Sequence, residues 1–128
     1  MLPDSTIIVI DDDSAVVAAL EALLGSFGMK VLAFPSAESF LAVRTQHPGR
    51  CLLLDVRLPG MSGLELQEAL IAHADFRPII FISGHADTED RDRALAGGAA
   101  HFFTKPCDGR KLHDCVRQVL LHAQQKLA

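Results

Sequence analysis

Two short apolar runs in this 128-residue chain stop abruptly at carboxylates. The first run, at residues 7–10, is followed by three aspartates at 11–13. The second, at residues 51–54, is followed by Asp55. Near-continuous apolar runs of this length indicate strands of a parallel sheet that is buried on both faces. Because the carboxyl ends of parallel strands meet at the edge where open α/β sheets bind ligands, we expect these acids to converge.

Two later predicted strands also end at polar side chains. Residues 79–82 are followed by Ser83, and residues 101–104 are followed by Lys105. Several carboxylates at one edge repel one another, which calls for a divalent cation with oxygen ligands, Mg²⁺ or Mn²⁺. Acids, a hydroxyl and an amine at the same edge therefore predict a site that accepts a phosphoryl group.

Strand and helix patterns alternate five times along the chain, with a second strand at 30–34 and a second helix that begins after the N-cap Ser36. This alternation indicates a parallel sheet with helices on both faces, and right-handed crossovers leave few topologies. The order that brings strands one and three together is 2-1-3-4-5. The expected fold is a flavodoxin-like three-layer α/β sandwich, with a five-stranded parallel sheet of that order and five helices.

The last two predicted helices differ in their apolar content. The fourth, over 88–97, begins after the N-cap Asp87 and has little apolar surface beyond Ala94 and Leu95. Since tertiary packing supplies most helix stability, this thin stripe predicts loose docking. The fifth helix carries a continuous stripe, made of Leu112, Cys115, Val116, Val119, Leu120, Ala123 and Leu127.

Charge and hydropathy narrow the class of protein. A net charge of −4 with scattered Lys and Arg argues against direct DNA binding by this chain. No apolar run approaches the ~20 residues that cross a bilayer, and the N-terminus lacks a signal-peptide pattern. We therefore expect a cytoplasmic protein with no membrane contact. The length fits one domain over residues 1–128.

The three cysteines, at 51, 107 and 115, lack the spacing of metal ligands and are interpreted as small hydrophobic residues. An alternative concerns Cys107, which lies two residues from Lys105. A nearby cation would lower the pKa of its thiol and open it to oxidation.

The polar residues at the strand ends resemble, in order, the motifs of the receiver domain of bacterial two-component response regulators. The matching pieces are Asp11-Asp12, Asp55, Arg57–Gly63, Ser83-Gly84 and Lys105-Pro106. Each piece alone is common, but five in order at strand ends are specific, and the resemblance covers essentially the whole chain. Residues 55–63 and 83–85 most resemble regulators that carry a helix-turn-helix DNA-binding output domain.

The resemblance implies a role for each acid. Asp55 is expected to be the phosphoacceptor, whose carboxylate attacks phosphorus and forms an acyl phosphate. Asp12, Asp55 and the backbone carbonyl of Arg57 are expected to hold Mg²⁺, with Asp11 contacting the ion through water. Asp13 is expected to cap the first helix or tune metal affinity rather than ligate the ion directly.

The resemblance also implies the parts of a switch. Lys105 is expected to contact the phosphoryl oxygens, and the Lys105–Pro106 bond to be cis. Ser83 occupies the position of the switch hydroxyl, and Gly84 is expected to leave the site open to a donor. Phe102 stands at the position of a rotating aromatic switch, with a simple core role as the alternative.

Two further positions are expected, from the resemblance, to tune the lifetime of the acyl phosphate. They are Arg57 and His85, which lie two residues beyond Asp55 and Ser83. Cys107 stands where a bulky aromatic residue often follows Lys-Pro, which predicts looser packing at the start of the fifth helix.

The function that these residues predict is a phosphorylation-controlled signalling switch. The chain is expected to accept a phosphoryl group from a sensor histidine kinase and to change the surface of helix four, strand five and helix five. That surface is expected to form a weak homodimer when phosphorylated and to control an output, transcription above all. Such a domain is not a conventional enzyme, since its only catalysis is Mg²⁺-dependent self-phosphorylation and autodephosphorylation. DNA binding is expected only through an output domain absent from this chain.

Other classes remain open at this point. A phosphatase or phosphotransferase with an Asp nucleophile usually places a general acid two residues later, where this chain has Arg57. A flavodoxin-like nucleotide or flavin binder needs a phosphate loop after the first strand, where the aspartates at 11–13 repel phosphate. A degenerate receiver that works by protein contacts alone is the third alternative. The chain is either a stand-alone receiver or the N-terminal part of a longer regulator, and the continuing last helix favours the second.

Overall fold

The middle layer of the fold is a parallel sheet of five strands. The computed structural model describes residues 6–46, 49–84 and 87–127, with side chains through residue 122. The strands are β1 Thr6–Ile10, β2 Lys30–Phe34, β3 Cys51–Leu54, β4 Ile79–Ser83 and β5 His101–Thr104. Their order, β2-β1-β3-β4-β5, confirms the order expected from the sequence.

Helices cover both faces of this sheet. Over the described ranges they are α1 Ser14–Ser26, α2 Ala37–Val43, α3 Gly63–Ala72, α4 Thr88–Ala96 and α5 Gly109–Leu127, with a short 3-10 turn at Arg44–Gln46. The five predicted helices are therefore confirmed. The side chains of Ala123 and Leu127, predicted to extend the stripe of α5, lie outside the described residues. Within the described part of the chain, no helix combines the length and apolar content that crossing a bilayer requires.

Alternate strand residues divide the core into two layers. One buried cluster joins the strands to α2 and α3, and includes Ile8, Ile10, Leu52, Leu54, Phe81, Phe40 and Leu70. The other joins them to α1 and α5, and includes Ile7, Val9, Leu53, Ile80, Leu24, Leu112 and Val116. Each fully buried aliphatic side chain of this size stabilises the fold by roughly 1.5–3 kcal/mol. Because β1 and β3 are buried on both faces, their register is fixed and so is the position of the residues that follow them.

Side-chain caps fix where the helices begin. Ser36 caps α2 and Asp87 caps α4, as the sequence predicts. Asp13 caps α1 by accepting the backbone N–H of Ala15 at 2.9 Å. Ser62 forms a reciprocal capping box with Glu65 at the start of α3. A cap of this kind is typically worth about 1 kcal/mol.

Helix α4 has little apolar contact with the rest of the fold. Ala94 is its buried residue, whereas Leu95 is 40% exposed, so the predicted stripe is thinner than expected. Successive residues of a helix are about 100° apart, which turns Leu95 away from the core when Ala94 faces it. The C-terminal half of α4 is held instead by buried Gln67, whose side-chain amide donates to the Ala94 carbonyl at 2.9 Å. The predicted loose docking remains a prediction.

An ionic cluster lies at the amino-terminal edge of the sheet, where the chain leads from α3 into β4. Arg77 donates to both oxygens of Asp75, at 3.0 and 2.7 Å, and to the Arg44 carbonyl at 3.0 Å. Its guanidinium also lies over the ring of Phe40, 5.2 Å from the centroid. The hydrogen bonds from Arg77, more than any opposing effect of burial, lower the pKa of Asp75. The cluster therefore ties three segments together near their turns.

Replacing Asp75 by Asn is expected to lower the free energy of unfolding by about 1–3 kcal/mol at neutral pH, because charge-assisted hydrogen bonds to Arg77 are lost. Since the folded pKa of Asp75 is depressed, its contribution is present above the ordinary value of 3.8 and is lost as pH falls through the lowered folded value. Urea titrations from pH 7 down should show the two proteins converging in acid. The matched control Asp92→Asn should change stability by less than about 0.5 kcal/mol. A pH-independent difference would contradict the assignment.

Candidate functional site

Three carboxylates converge at the carboxyl edge of the sheet. One carboxylate oxygen from each of Asp11, Asp12 and Asp55 lies within 4.8 Å of the other two. Backbone bonds that extend the sheet position two of them: the N–H of Asp55 donates to the Ile10 carbonyl at 3.1 Å, and that of Asp11 donates to the Phe34 carbonyl at 3.2 Å. Asp11 and Asp55 are buried, while Asp12 is exposed. The convergence predicted from the strand ends is present in the structure.

The amine of Lys105 lies between two of these acids. Its Nζ donates to Asp55 Oδ2 at 2.9 Å and to Asp11 Oδ2 at 3.0 Å. Burial pulls the pKa of Lys105 down, but the hydrogen bonds to Asp55 and Asp11 together outweigh it, so the pKa is raised above its ordinary value. Lys105 is therefore held as a cation that offsets part of the negative charge. The Lys105–Pro106 bond is cis, as the resemblance implies.

Asp13 uses its carboxylate for helix capping. Its Oδ1 accepts the N–H of Ala15, and its own N–H donates to Asp11 Oδ1 at 2.9 Å. The group of converging acids includes Asp12 but not Asp13. This arrangement favours the capping role for Asp13 and leaves Asp12 as the exposed acid of the cluster.

The loop between β3 and α3 folds tightly against the Asp55 backbone. A side chain at Gly63 would overlap the Asp55 carbonyl oxygen, and the Gly63 N–H donates to the Val56 carbonyl at 2.9 Å. The N–H of Arg57 donates to Asp55 Oδ1 at 3.0 Å. Asp55 is therefore fixed from both sides, by Lys105 on one oxygen and by the loop on the other. The sequence shows Gly63 within a motif but gives no reason for glycine there.

A contact from α2 to this loop was not foreseen from the sequence. Glu38 Oε2 accepts the N–H of Met61 at 3.0 Å, and this hydrogen bond lowers the pKa of Glu38. The neighbouring Gly60 has a φ of 74°, which glycine adopts at low cost. Glu38 lies 23 positions from Met61, so no local pattern connects the two.

The side chain of Arg57 reaches across to the start of α4. Its NH2 atom lies 2.9 Å from Asp90 Oδ2 and 3.5 Å from Asp87 Oδ2. The sequence singled out Arg57 as a residue that tunes acyl-phosphate lifetime, and the contact with α4 is an additional property. Its partner in that expectation, His85, lies outside the described residues.

The remaining predicted switch residues lie at the end of β4, directly after β4, and on β5. Ser83 is buried at the end of β4, and its carbonyl accepts the N–H of Lys105 at 2.7 Å. A side chain at Gly84 would meet no heavy atom of the described residues within 4 Å. Phe102 is 7% exposed, with its ring centroid 6.1 Å from that of Phe81. The structure thus holds Phe102 in an inward position, and its rotation stays a prediction.

The alternative that Cys107 has a lowered pKa is wrong. Burial raises the pKa of its thiol, and this effect outweighs the attraction of nearby Lys105. Cys107 is partly buried against the apolar cluster of α1 and α5. The interpretation of Cys107 as a small hydrophobic residue is therefore the better one.

The donor set fits a hard divalent cation. Three carboxylates with oxygens this close repel one another, and Lys105 contacts only two of them. Oxygen ligands of this kind suit Mg²⁺ and Mn²⁺, which also keep several waters in such sites. Asp12 is exposed, which leaves one side of the cluster accessible to an ion and its waters.

Comparison with known proteins places this geometry in a family. The model of the response regulator receiver domain matches residues 7–117. The response regulator protein TmoT of Ectopseudomonas mendocina is 44% identical over 96% of this chain and 56% of its own length. The transcriptional regulatory protein TdiR of Thauera aromatica is 38% identical over 91% of this chain and 51% of its own. A solved structure of response regulator StyR superposes with a TM-score of 0.86 at 43% identity, covering 95% of this chain and 62% of that one.

The chain therefore belongs to the family of response regulator receiver domains. Receiver domains are signalling switches rather than conventional enzymes. The chain spans about half the length of the curated relatives it matches, so the activity of a whole regulator does not follow from this half alone.

Mg²⁺ or Mn²⁺ is expected to bind weakly before phosphorylation, because few protein ligands are fixed and water completes the coordination. Asp12→Ala should weaken binding far more than Asp13→Ala, since Asp13 is occupied with the cap of α1. Isothermal titration calorimetry, or Mn²⁺ binding followed by electron paramagnetic resonance, measures the difference. A larger loss for Asp13→Ala would shift the ligand assignment by one residue.

Proposed function

We propose that this chain is a phosphorylation-controlled switch in which Asp55 accepts a phosphoryl group from a sensor histidine kinase in the presence of Mg²⁺. The observation that carries the proposal is the placement of Asp55. One of its oxygens is held by Lys105 at 2.9 Å, the other by the N–H of Arg57 at 3.0 Å, and Asp11 and Asp12 lie beside it. A buried carboxylate with these neighbours fits a nucleophile for phosphoryl transfer.

The transfer step exchanges one bond to phosphorus for another. A carboxylate oxygen of Asp55 forms a bond to phosphorus, and the P–N bond of the kinase phosphohistidine breaks, with its electron pair leaving on the imidazole. The product is a mixed anhydride of Asp55. Asp12, Asp55 and the Arg57 carbonyl, with Asp11 through water, would hold Mg²⁺, which would supply positive charge to neutralise the phosphoryl oxygens. Lys105 provides a second positive charge close to the acceptor oxygen.

The new group changes the charge at the sheet edge. The bound phosphoryl group carries about −1.5 to −2 charge and strong acceptor oxygens. Because the Asp55 carboxylate loses its own charge when the anhydride forms, the net change at this edge is about −0.5 to −1. Ser83, at the end of β4, provides a hydroxyl beside the site, and the inward Phe102 lies on the next strand. Movement of these two residues would alter the surface formed by α4, β5 and α5. The Gly84 position, open within the described residues, supports access for the donor.

The output proposed for the regulator is control of transcription. The name of TdiR describes a transcriptional regulatory protein, and that relative is nearly twice as long as the matched segment. Residues 1–128 then form one receiver domain, and DNA binding belongs to an output domain outside this chain. The net charge of −4 supports that division.

The rival phosphatase function is less well supported. A phosphatase of the Asp-nucleophile class needs a general acid two residues after Asp55, and Arg57 occupies that position. The guanidinium of Arg57 pairs with Asp87 and Asp90, and a guanidinium does not release a proton to a leaving group as a general acid must.

Incubation with acetyl phosphate and Mg²⁺ should add a single hydroxylamine-labile phosphoryl group at Asp55. Asp55→Asn should abolish labelling and EDTA should suppress it, since both the nucleophile and the cation are required. Intact-mass spectrometry and peptide mapping measure the product. Asp92→Asn, an exposed change of equal charge on α4, is the matched control and should label normally. Normal labelling of the Asp55→Asn protein would mean that the acceptor is wrongly assigned.

Phosphorylation is expected to promote weak self-association through the surface of α4, β5 and α5. Arg91, Asp92, Arg110 and Lys111 are exposed on these helices, and charges of both signs can pair across a two-fold axis. Such a polar interface should weaken as salt rises. Sedimentation velocity of both forms at low and high salt measures it. A protein that stays monomeric in both forms would point instead to a partner protein on this surface.

A further inference from the structure

Arg57 links the loop that carries the phosphoacceptor to the first turn of α4. Its NH2 atom lies 2.9 Å from Asp90 Oδ2 and 3.5 Å from Asp87 Oδ2. Its side chain is 55% exposed, whereas those of Asp90 and Asp87 are 19% and 39% exposed. The pair therefore bridges two elements that are 33 positions apart in the chain, in a partly solvated setting.

The N-terminal half of α4 has no buried apolar residue among those described. Thr88, Glu89 and Arg91 are exposed, and the buried Ala94 lies one turn further along. The middle of the helix has one more ion pair, between Arg93 and Glu68, and the end is held by the amide of Gln67. Among the described hydrogen bonds and ion pairs, the contact that joins the first turn of α4 to another element is therefore the one with Arg57.

The capping of α4 does not depend on Arg57. Asp87 Oδ1 accepts the N–H groups of Glu89 and Asp90, at 2.9 and 3.4 Å, while Oδ2 is the oxygen that faces Arg57. The helix can therefore keep its N-cap when the guanidinium leaves. Changing Asp90 rather than Asp87 isolates the link from the cap.

We infer that Arg57 is a coupling residue. The carboxylates at the start of α4 and a phosphoryl group on Asp55 compete for its guanidinium. In the unmodified protein its guanidinium holds the first turn of α4 through Asp90 and Asp87. Phosphorylation two residues away places a more highly charged acceptor near Arg57 and draws the guanidinium from Asp90, which frees the first turn of α4. This inference rests on the proposed phosphorylation of Asp55.

Three physical reasons favour this competition. Guanidinium groups bind phosphate oxygens in a bidentate manner, whereas Arg57 contacts Asp90 and Asp87 through one nitrogen, NH2. Exposed ion pairs contribute little, so a modest attraction is enough to displace one. Arg57, Asp12 and Asp90 line the same cleft, of about 480 Å³, which gives the side chain space to turn towards the metal-binding edge.

The link itself is tested in the unmodified protein by hydrogen exchange of the α4 amides. Arg57→Gln and Asp90→Asn should each speed exchange over the first turn of α4 by roughly two- to fivefold, the factor that an exposed ion pair supplies. The double variant should be no faster than the faster single variant, because both remove the same link. The control Asp92→Asn should leave exchange unchanged. No effect in either single variant, or fully additive effects, would overturn the link.

The response of α4 exchange to salt provides a second test of the link. Raising NaCl to about 1 M should speed α4 exchange in the wild-type protein towards the rate of Asp90→Asn, because salt screens exposed pairs. The Asp90→Asn protein should respond much less. An equal response of both proteins would mean that Arg57 and Asp90 do not hold the helix.

The coupling between phosphorylation and α4 is tested by hydrogen exchange of proteins treated with acetyl phosphate and Mg²⁺. Intact mass first shows that these proteins are phosphorylated. The wild-type first turn of α4 should reach the exchange rate of unmodified Asp90→Asn, and phosphorylated Asp90→Asn should gain little more. Equal gains in both proteins, or no gain in either, would overturn the competition. Failure to label Asp55 would instead contradict the proposed function, and the unmodified proteins would still decide whether Arg57 holds α4.

Discussion

The repulsion between the carboxylates of Asp11 and Asp55 is the constraint on which the rest of this structure depends. Both follow adjacent buried strands, so the register of β1 with β3 forces them together at one edge. Lys105, which follows the edge strand β5, contacts both carboxylates and offsets part of their repulsion. The negative charge that Lys105 does not offset, with Asp12 exposed beside it, makes this edge a donor set that fits a divalent cation.

Much of the fold follows from the sequence because its strands are short, apolar and buried on both faces. That pattern fixes the parallel sheet, and the polar residues at the carboxyl ends of β1, β3, β4 and β5 then mark the site without any knowledge of packing. The caps Ser36 and Asp87 were predictable for a related reason, since a cap is read from its immediate neighbours. Asp55, Asp12 and Lys105 converge because each is the next residue after a strand or close to it.

The contacts that the sequence did not reveal are those between side chains on elements that are far apart in the chain. The hydrogen bond from Met61 to Glu38 and the pairing of Arg57 with Asp90 depend on how loops and helices sit in three dimensions. The alternative of a lowered pKa for Cys107 failed for a similar reason, because a nearby cation is visible in the sequence and the degree of burial is not.

The unequal attachment of α4 at its two ends has a mechanical consequence. The buried side-chain amide of Gln67 donates a hydrogen bond to the helix at Ala94. The opposite end is held by the partly exposed ion pair between Arg57 and Asp90. A body fixed at one end moves as a lever, and its displacement grows with distance from the pivot. Asp87 lies roughly 10 Å from Ala94 along the helix axis, so a tilt of about 10° displaces that end by roughly 2 Å. The largest displacement thus falls at the Asp87 end of α4, where a small local force has its greatest mechanical advantage.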